Sequence, residues 1–342
     1  MRPLLNTLYV TSAESYLHKD GENVVVRSGD QIRLRLPVHT LSSIVCFGPV
    51  TVSPFLLGLC AERGVGISFL SEHGHFLARV QGPVSGNVLL RRAQYRFADD
   101  PERRVSLAKA IVAAKIANSR NVLLRASRES GNPASDSLAA AARRLAFFLQ
   151  QAAAAPSLDV LRGVEGEAAH SYFSVLNHLI LSDEATFAFT QRSRRPPLDA
   201  VNALLSFCYT LLVHDCQGAL ESVGLDPAVG FLHADRPGRP GLALDLMEEF
   251  RPWLADRLVL TLINRKQIRP TDFRTLDNGA VLLNDDARKL VLKSWQERKQ
   301  VELHHPFLDE DAPIGLIPFL QAMILARTLR GDLPSYVPFL PK

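Results

Sequence analysis

The sequence has no framework of cysteines. Cys46, Cys60, Cys208 and Cys216 are the only four, and none forms a C-x-x-C pair. A disulfide scaffold and a cysteine-ligated zinc site are therefore excluded as organising features, and free intracellular thiols are expected. No run reaches the roughly 18 apolar residues that span a bilayer. The opening MRPLLNTLYV lacks the apolar region of a signal peptide, so a cytoplasmic protein with no membrane partner is expected. Several catalytic signatures are also missing. There is no G-x-x-x-x-G-K-[ST] loop, no G-x-G-x-x-G after a strand, no G-x-S-x-G elbow and no H-E-x-x-H. P-loop, dinucleotide-binding, serine-hydrolase and H-E-x-x-H metalloprotease chemistry lose their usual carriers, and no organic cofactor is expected. Internal repeats and low-complexity tracts are absent as well.

What remains is the composition of an ordinary globular protein. Of 342 residues, 47% are hydrophobic and 22% charged, which suggests a sizeable core and two domains. The net charge of +4 is unevenly spread. Between Arg91 and Glu129 there are ten Lys/Arg against four acids, so this stretch alone carries +6. A polyanionic partner and a solvated helix face are both consistent with it.

Residues 1–82 read as strands. NTLYVT, NVVVR, IRLRLP, SIVCF, GISFL and FLARV are short β-branched or apolar runs, separated by turns such as KDGE, SGDQ and EHGH. QIRLRLP alternates strictly, which predicts one wet face. A helix over about 52–62 interrupts the series and ends at Gly64. The texture then changes. From Glu102 to Ser130 there is neither Gly nor Pro, which predicts one long helix. SGNPASD is a break, with Ser135 or Asp136 as the cap of an Ala-rich helix running to about 154. Further helices are expected near 158–180, 198–222, 245–265, 286–300 and 314–330, with a small hairpin or loop over 271–284 around DNG. The His-His pair before Pro306 reads as a helix C-terminus. The fold class is thus α+β: a small N-terminal β-rich domain over 1–90 and a larger helical domain over 91–342, with the boundary near 83–100.

Three stretches carry candidate chemistry. In GFLHADRPGRPGLALDLMEEF, His233 precedes a segment with Asp245, Glu248 and Glu249. Leu242, Leu246 and Phe250 lie four apart and make one buried stripe. Periodicity does not separate Glu248 from Glu249. Carboxylates beside an imidazole suit Mg²⁺, or Mn²⁺ given the nitrogen ligand, while acids near a helix start and a polar loop histidine are the commoner reading. In LRGVEGEAAHSYF, Glu165 lies between Gly163 and Gly166 at a helix start, where glycines permit close backbone approach; Glu167 competes with it, and His170 and Tyr172 follow. In RSRRPPLDAVNALLSFCYTLL, a basic loop with Arg192, Arg194 and Arg195 feeds a helix that carries Asp199, Asn202 and Tyr209. His214 and Asp215 are adjacent on that helix and do not face one way.

Taken in order, GVEGEAAHSYF, PPLDAVNALLSFCYTLL and GLDPAVGFLHADRPGRPGLALDLMEEFRP resemble the CRISPR-associated integrase of the adaptation module, the first-numbered Cas protein. LINRKQI followed by DF, and the closing LRGDLPSYVPF, fit as well. The resemblance spans essentially the whole chain, is closest over 160–270, and has the texture of type I-C systems. It implies an N-terminal β domain through which a homodimer forms and a helical C-terminal domain. It also implies a metal site of one Glu, one His and a second acid. These carry over to Glu165, His233 and Glu248. Glu248 is preferred to Glu249 because the family's acid lies three residues after an Asp, here Asp245, which sits beside the ligands. His170 stands where the family often has a basic residue.

The reaction so implied is phosphodiester transesterification. A 3′-hydroxyl of a short foreign DNA fragment attacks the edge of a CRISPR repeat with Mg²⁺ or Mn²⁺ at the site, and water in its place gives endonuclease activity. Arg236, Arg239 and Lys266 are expected to neutralise phosphates, Tyr209 and Tyr172 to position DNA, and the 91–128 stretch to track duplex backbone. The implied partners are double-stranded DNA of fragment and leader-repeat, a second copy of the chain, and a small ferredoxin-like adaptation protein bridging two dimers. A structure-selective repair nuclease without integration activity and a non-enzymatic DNA-binding scaffold are the alternatives.

Overall fold

The computed structural model describes residues 6–72, 76–80, 82, 88–128, 134–182 and 184–341. The EHGH turn, the 83–87 part of the domain boundary and most of SGNPASD lie outside these. Contacts divide the chain into two units. The first is Met1–Gly86 with Arg288–Val301 and Ile314–Leu316; the second is Asn87–Ala287 with Glu302–Pro313 and Ile317–Lys342. The first unit thus takes back a helix and a short turn from far along the chain, which a division at 90/91 does not anticipate.

The first unit holds β1 (Thr7–Val10), β2 (Ser15–Asp20), β3 (Asn23–Ser28), β4 (Gln31–Pro37), β5 (Ser43–Phe47), β6 (Thr51–Val52), α1 (Pro54–Arg63), β7 (Gly66–Leu70) and β8 (Phe76–Val80). They form two four-stranded sheets, ordered β1-β5-β7-β8 and β4-β3-β2-β6. In the first, β1/β5 and β5/β7 are parallel and β7/β8 antiparallel. In the second, the β2/β3 and β3/β4 pairs are antiparallel. Strand β4 is an edge and is exposed or half-buried along its whole length rather than on one face: Ile32, on the apolar side of the alternation, is 54% exposed, beside a register shift at Val26/Arg27. Ser53 caps α1, its side chain accepting from the Leu56 N–H at 3.3 Å, and Gly64 ends the helix at φ 71°. Leu17, Val24, Ile44, Cys46, Leu56, Cys60 and Ile67 meet in the core. All four cysteines are free and buried.

The second unit begins with α2 (Val88–Asp99), α3 (Pro101–Ser127), α4 (Ser135–Ala154), α5 (Leu158–Phe173) and α6 (Ala200–Ser222). The long basic stretch is therefore two helices. Asp100 starts the second, accepting from the Glu102 N–H at 3.0 Å and the Arg103 N–H at 3.2 Å, with Pro101 at the first helical position. Helices α3, α4 and α5 pack together. Helix α6 is nearly buried throughout, and Asp199 caps it through the Asn202 N–H at 2.7 Å. Then come α7 (Gly241–Met247), α8 (Arg257–Asn264), β9 (Phe273–Thr275), β10 (Val281–Leu283), α9 (Asp285–Gln300), β11 (Glu302–His305), β12 (Glu310–Pro313) and α10 (Ile317–Arg330). The hairpin expected around DNG is β9/β10, paired antiparallel. From Arg288 onward α9 belongs to the first unit.

Three local expectations are corrected. His304 and His305 end strand β11 rather than a helix; β11 pairs with β12, and Asp309 takes a left-handed φ of 54° in the connection. Ser135 is not a cap but the first residue of α4, and its hydroxyl donates to the Ser127 carbonyl at 2.7 Å. Glu165 lies in the middle of α5, not at its start. Ser157 caps that helix and Asp159 is its first-turn acid. A Cβ built on Gly163 or Gly166 would meet nothing within 4 Å, so no close approach of this chain's backbone requires either glycine.

Candidate active site

Helix α7 stops at Met247, three residues of turn follow, and Arg251–Asp256 then winds as a π-helix before α8. Wide turns of this kind re-aim side chains and recur at functional sites. At this break two adjacent acids face different partners. Glu248, 3% exposed, faces cations. Its Oε1 accepts from Arg251 Nη1 at 2.6 Å, and its Oε2 lies 2.7 Å from Lys115 Nζ. Glu249 turns the other way, into a pocket of hydrogen-bond donors, where burial pushes its pKa up to about 7 although the Phe339 N–H, Tyr336 and Gln321 all bond it. Periodicity leaves these two acids undecided; their partners separate them.

Lys115 gathers the site. Its ammonium binds Glu165 from α5 as well as Glu248, and its side chain is 13% exposed. Burial opposes ionisation of Glu248, but Arg251, Lys115 and the nearby His233 together hold its pKa far below the ordinary carboxylate range. Burial acts against the Arg251 charge too, and Glu248 and Tyr209 more than offset it. The Arg251 guanidinium stacks 4.3 Å over the Tyr209 ring.

His233 arrives on a loop that the chain fixes from several sides. Asp245, 0% exposed, accepts from the backbone N–H groups of Phe231 at 2.6 Å, Leu232 at 3.0 Å and His233 at 3.0 Å. Its Oδ1 is also 2.6 Å from His233 Nδ1. A proton on Nδ1 then leaves the Nε2 lone pair for a ligand. Arg104 and Arg162 donate to the carbonyls of Phe231 and Leu232. The loop comes this close to α7 because both contact points are glycine. A Cβ on Gly241 would lie 2.6 Å from the Ala228 carbonyl oxygen, and one on Gly230 would lie 2.9 Å from Asp245 Oδ2. Gly241→Ala is therefore expected to cost about 1–3 kcal/mol of stability and to displace His233. A melting scan beside the His233 ring resonances in an NMR spectrum checks both.

Next to the two glutamates opens a pocket with about 30 Å³ of water-accessible volume, lined among others by Glu165, Lys115, Tyr172, Arg192, Tyr209 and Asp256. Tyr209 is 8% exposed and its hydroxyl donates to Asp256 at 2.6 Å. Burial raises the Asp256 pKa to about 6 against the hydrogen bond from Tyr209 and the Arg251 charge. Tyr209 and Tyr172, expected to position DNA, are both buried in the pocket wall.

The structure therefore brings Glu165 and Glu248 onto one ammonium, places His233 close enough to act on Glu248, and sets Asp245 behind the imidazole. Among the described residues, no three or more His, Cys, Asp or Glu side chains already stand as a metal cluster. The donor set nonetheless suits a divalent cation. Two carboxylates converge on one positive charge, Glu248 Oε2 is buried without an aligned hydrogen bond, and one imidazole nitrogen is open. Arg239 stands beside Arg236, Arg162 and Arg195; its pKa is lowered by partial burial first and then by Arg236, with Asp245 opposing. Lys266 sits exposed just past α8, at φ 54°, and is not part of the pocket wall.

Sequence reasoning missed Lys115 and Arg251. Lys115 had a visible signal: it falls on the inward stripe of Ala108, Ile111, Ser119 and Val122, a charge where α3 is otherwise buried. Arg251 stands three residues after Glu248, a pairing distance on a helix.

Comparison with known proteins agrees with this frame. The family model of CRISPR associated protein Cas1 matches residues 8–297. The chain is 58% identical to the CRISPR-associated endonuclease Cas1 2 of Rhodospirillum rubrum over 99% of both chains. It is 52% identical to the CRISPR-associated endonuclease Cas1 1 of Chlorobaculum tepidum, again over 99% of each. A solved Cas1 protein from Thermotoga maritima superposes with a TM-score of 0.82 at 24% identity, covering 98% of this chain and 100% of that one; it shares the strand-rich N-terminal and helical C-terminal fold. The chain belongs to the Cas1 family of CRISPR-associated proteins.

Proposed function

We propose that this protein is a divalent-metal-dependent DNA endonuclease and integrase of CRISPR adaptation, which joins the 3′-hydroxyl ends of short foreign DNA to the edges of a CRISPR repeat. One observation carries the reading: Glu165 in α5 and Glu248 just past α7 meet on the largely buried Lys115 ammonium, beside a histidine whose Nδ1 is taken by Asp245. Relatives more than half identical over the full chain are named endonucleases. Glu165, His233 and Glu248 would hold Mg²⁺ or Mn²⁺, with Lys115 moving off the carboxylates. The bound ion would polarise a phosphoryl oxygen and stabilise the attacking or leaving oxygen.

The chain's own groups do the rest. Arg251 keeps Glu248 ionised and aimed. Asp245 holds the imidazole in the tautomer that presents Nε2. Arg236 and Arg239, with Arg162 and Arg195 close by, offer phosphate a positive border. In the transfer, the incoming 3′-oxygen bonds to phosphorus and gives up its proton to solvent. The bond from phosphorus to the leaving 3′-oxygen breaks, and that oxygen is protonated. With water as nucleophile the same steps cut DNA. A second copy joined through the first unit and a small ferredoxin-like adaptation protein would set the spacing of two such sites.

The test is a strand-transfer assay with a short duplex bearing 3′-hydroxyls, a plasmid carrying leader and repeat, and the cognate small partner. Joined product is expected with Mn²⁺ or Mg²⁺ and not with chelator. Hydrolysis without joining would assign the chain to structure-selective repair. DNA binding without any processing would make it a scaffold. Either outcome overturns the proposal.

A further inference from the structure

Glu248 follows α7 in a turn, its N–H donating to the Asp245 carbonyl at 3.2 Å, and Arg251 and Lys115 hold its carboxylate; its backbone has a further anchor one residue on. The neighbouring residue is held through both its side chain and its backbone. Glu249 is 0% exposed, and both of its carboxylate oxygens are taken. Oε1 accepts from the Tyr336 hydroxyl; Oε2 accepts from the Phe339 N–H at 2.7 Å and from Gln321 Nε2 at 3.0 Å. Tyr336 and Phe339 belong to the C-terminal segment that follows α10, which ends at Gly331 with φ 85°.

The backbone of Glu249 is held as firmly as its side chain. Its carbonyl accepts from Asn118 Nδ2 at 2.8 Å and from Trp253 Nε1 at 2.9 Å. Asn118 donates at the same time to the Phe339 carbonyl at 3.0 Å, and it lies three residues beyond Lys115 on α3. The Phe339 ring packs against Trp253, with centroids 5.3 Å apart. The C-terminal segment, the Glu249 peptide and the Lys115 turn of α3 are therefore one hydrogen-bonded body, and Glu248 is joined to it by a single peptide bond.

We propose that the C-terminal segment is a positioning element of the active site: Tyr336 and Phe339, by holding Glu249, fix the irregular backbone that points Glu248 at Glu165 and the cation seat. The proposal rests on the metal-site reading above. It treats neither residue as touching substrate; they act through Glu249. Outer groups that orient a metal ligand typically change metal affinity by about 10–100-fold when removed.

The test is Mn²⁺ affinity followed by electron paramagnetic resonance on the full chain. The variants are Tyr336→Phe, Gln321→Met, Glu248→Gln and, as a stability control, Leu17→Ala in the first unit. Tyr336→Phe and Gln321→Met are expected to weaken Mn²⁺ binding about tenfold. Leu17→Ala should lower the melting temperature with Mn²⁺ affinity unchanged, which separates aiming from mere loss of stability. If Glu248→Gln loses Mn²⁺ while Tyr336→Phe and Gln321→Met bind like the wild type, the positioning role is overturned and the metal site stands. Should the wild type fail to bind Mn²⁺, or Glu248→Gln bind it undiminished, both readings fall.

Discussion

Glu248→Gln is expected to lower metal-dependent cleavage and strand transfer by at least about 10³-fold, while the melting temperature drops by only a few degrees. The amide keeps the shape of the side chain and an oxygen for Arg251 Nη1, which now sits 2.6 Å from Oε1. What it removes is the negative charge that a divalent ion would need. Metal ions contribute several kcal/mol of charge stabilisation, and each 1.36 kcal/mol is a factor of ten in rate, so losing about 4 kcal/mol gives the stated effect. Alanine would be a poorer probe. Both substitutions remove the counter-charge that Glu248 gives Arg251 and Lys115, whose side chains are 16% and 13% exposed, and Lys115 keeps Glu165 in either case. Alanine also removes the oxygen that accepts from Arg251 and leaves a cavity, so loss of activity and loss of fold would be confounded. A Gln variant cutting DNA within tenfold of wild type in Mn²⁺, with its melting temperature retained, would remove Glu248 from the chemistry.

Much of the architecture was written in local patterns, and the exceptions have local causes. The alternation of QIRLRLP and the unbroken run after Pro101 translate directly into β4 and α3, because each segment's preference agrees with its packing. Strand β2, SYLHKD, escaped notice since it is half exposed and mostly polar; its pairing partner β3 makes it a strand. Glu165 was displaced in the reading because Gly163 and Gly166 resemble a helix boundary, yet Ser157 had already capped the helix that runs through them.

The site was legible in residue type but not in arrangement. His233, Asp245 and Glu248 lie within one short stretch, and their clustering was visible. The choice between Glu248 and Glu249 depends on partners far away in sequence, Lys115 for one and Tyr336 and Phe339 for the other, which periodicity cannot express. Lys115 was counted as one more cation in a basic helix, and only its place on the buried stripe marks it as different. The grip of Tyr336 and Phe339 on Glu249 joins residues 87 and 90 positions apart, and no local pattern records such a contact.

Asp245→Asn is expected to damage both the fold and the site, in contrast to Glu248→Gln. Asp245 is a buried acceptor facing only donors: three consecutive backbone N–H groups, from Phe231 to His233, and the His233 ring at 2.6 Å. An ionised carboxylate suits that surrounding because both oxygens accept. An asparagine must aim its NH₂ at one side of the cluster, so donors meet donors and at least one or two N–H groups lose their partner. Each such loss costs about 1–3 kcal/mol, for a total of roughly 1–6 kcal/mol and a drop in melting temperature of the order of 10 °C. The imidazole also loses the acceptor that fixes its tautomer, so Nε2 is no longer reliably presented and Mn²⁺ affinity should fall about 10–100-fold. Thermal melting, Mn²⁺ titration and DNA cleavage on the same preparation separate the two effects, because Mn²⁺ affinity is measured below the melting transition on the folded fraction. An Asn variant that melts and binds Mn²⁺ like the wild type would show that the loop is set by Arg104, Arg162 and the Gly230–Gly241 approach alone, and that Asp245 does not hold the histidine.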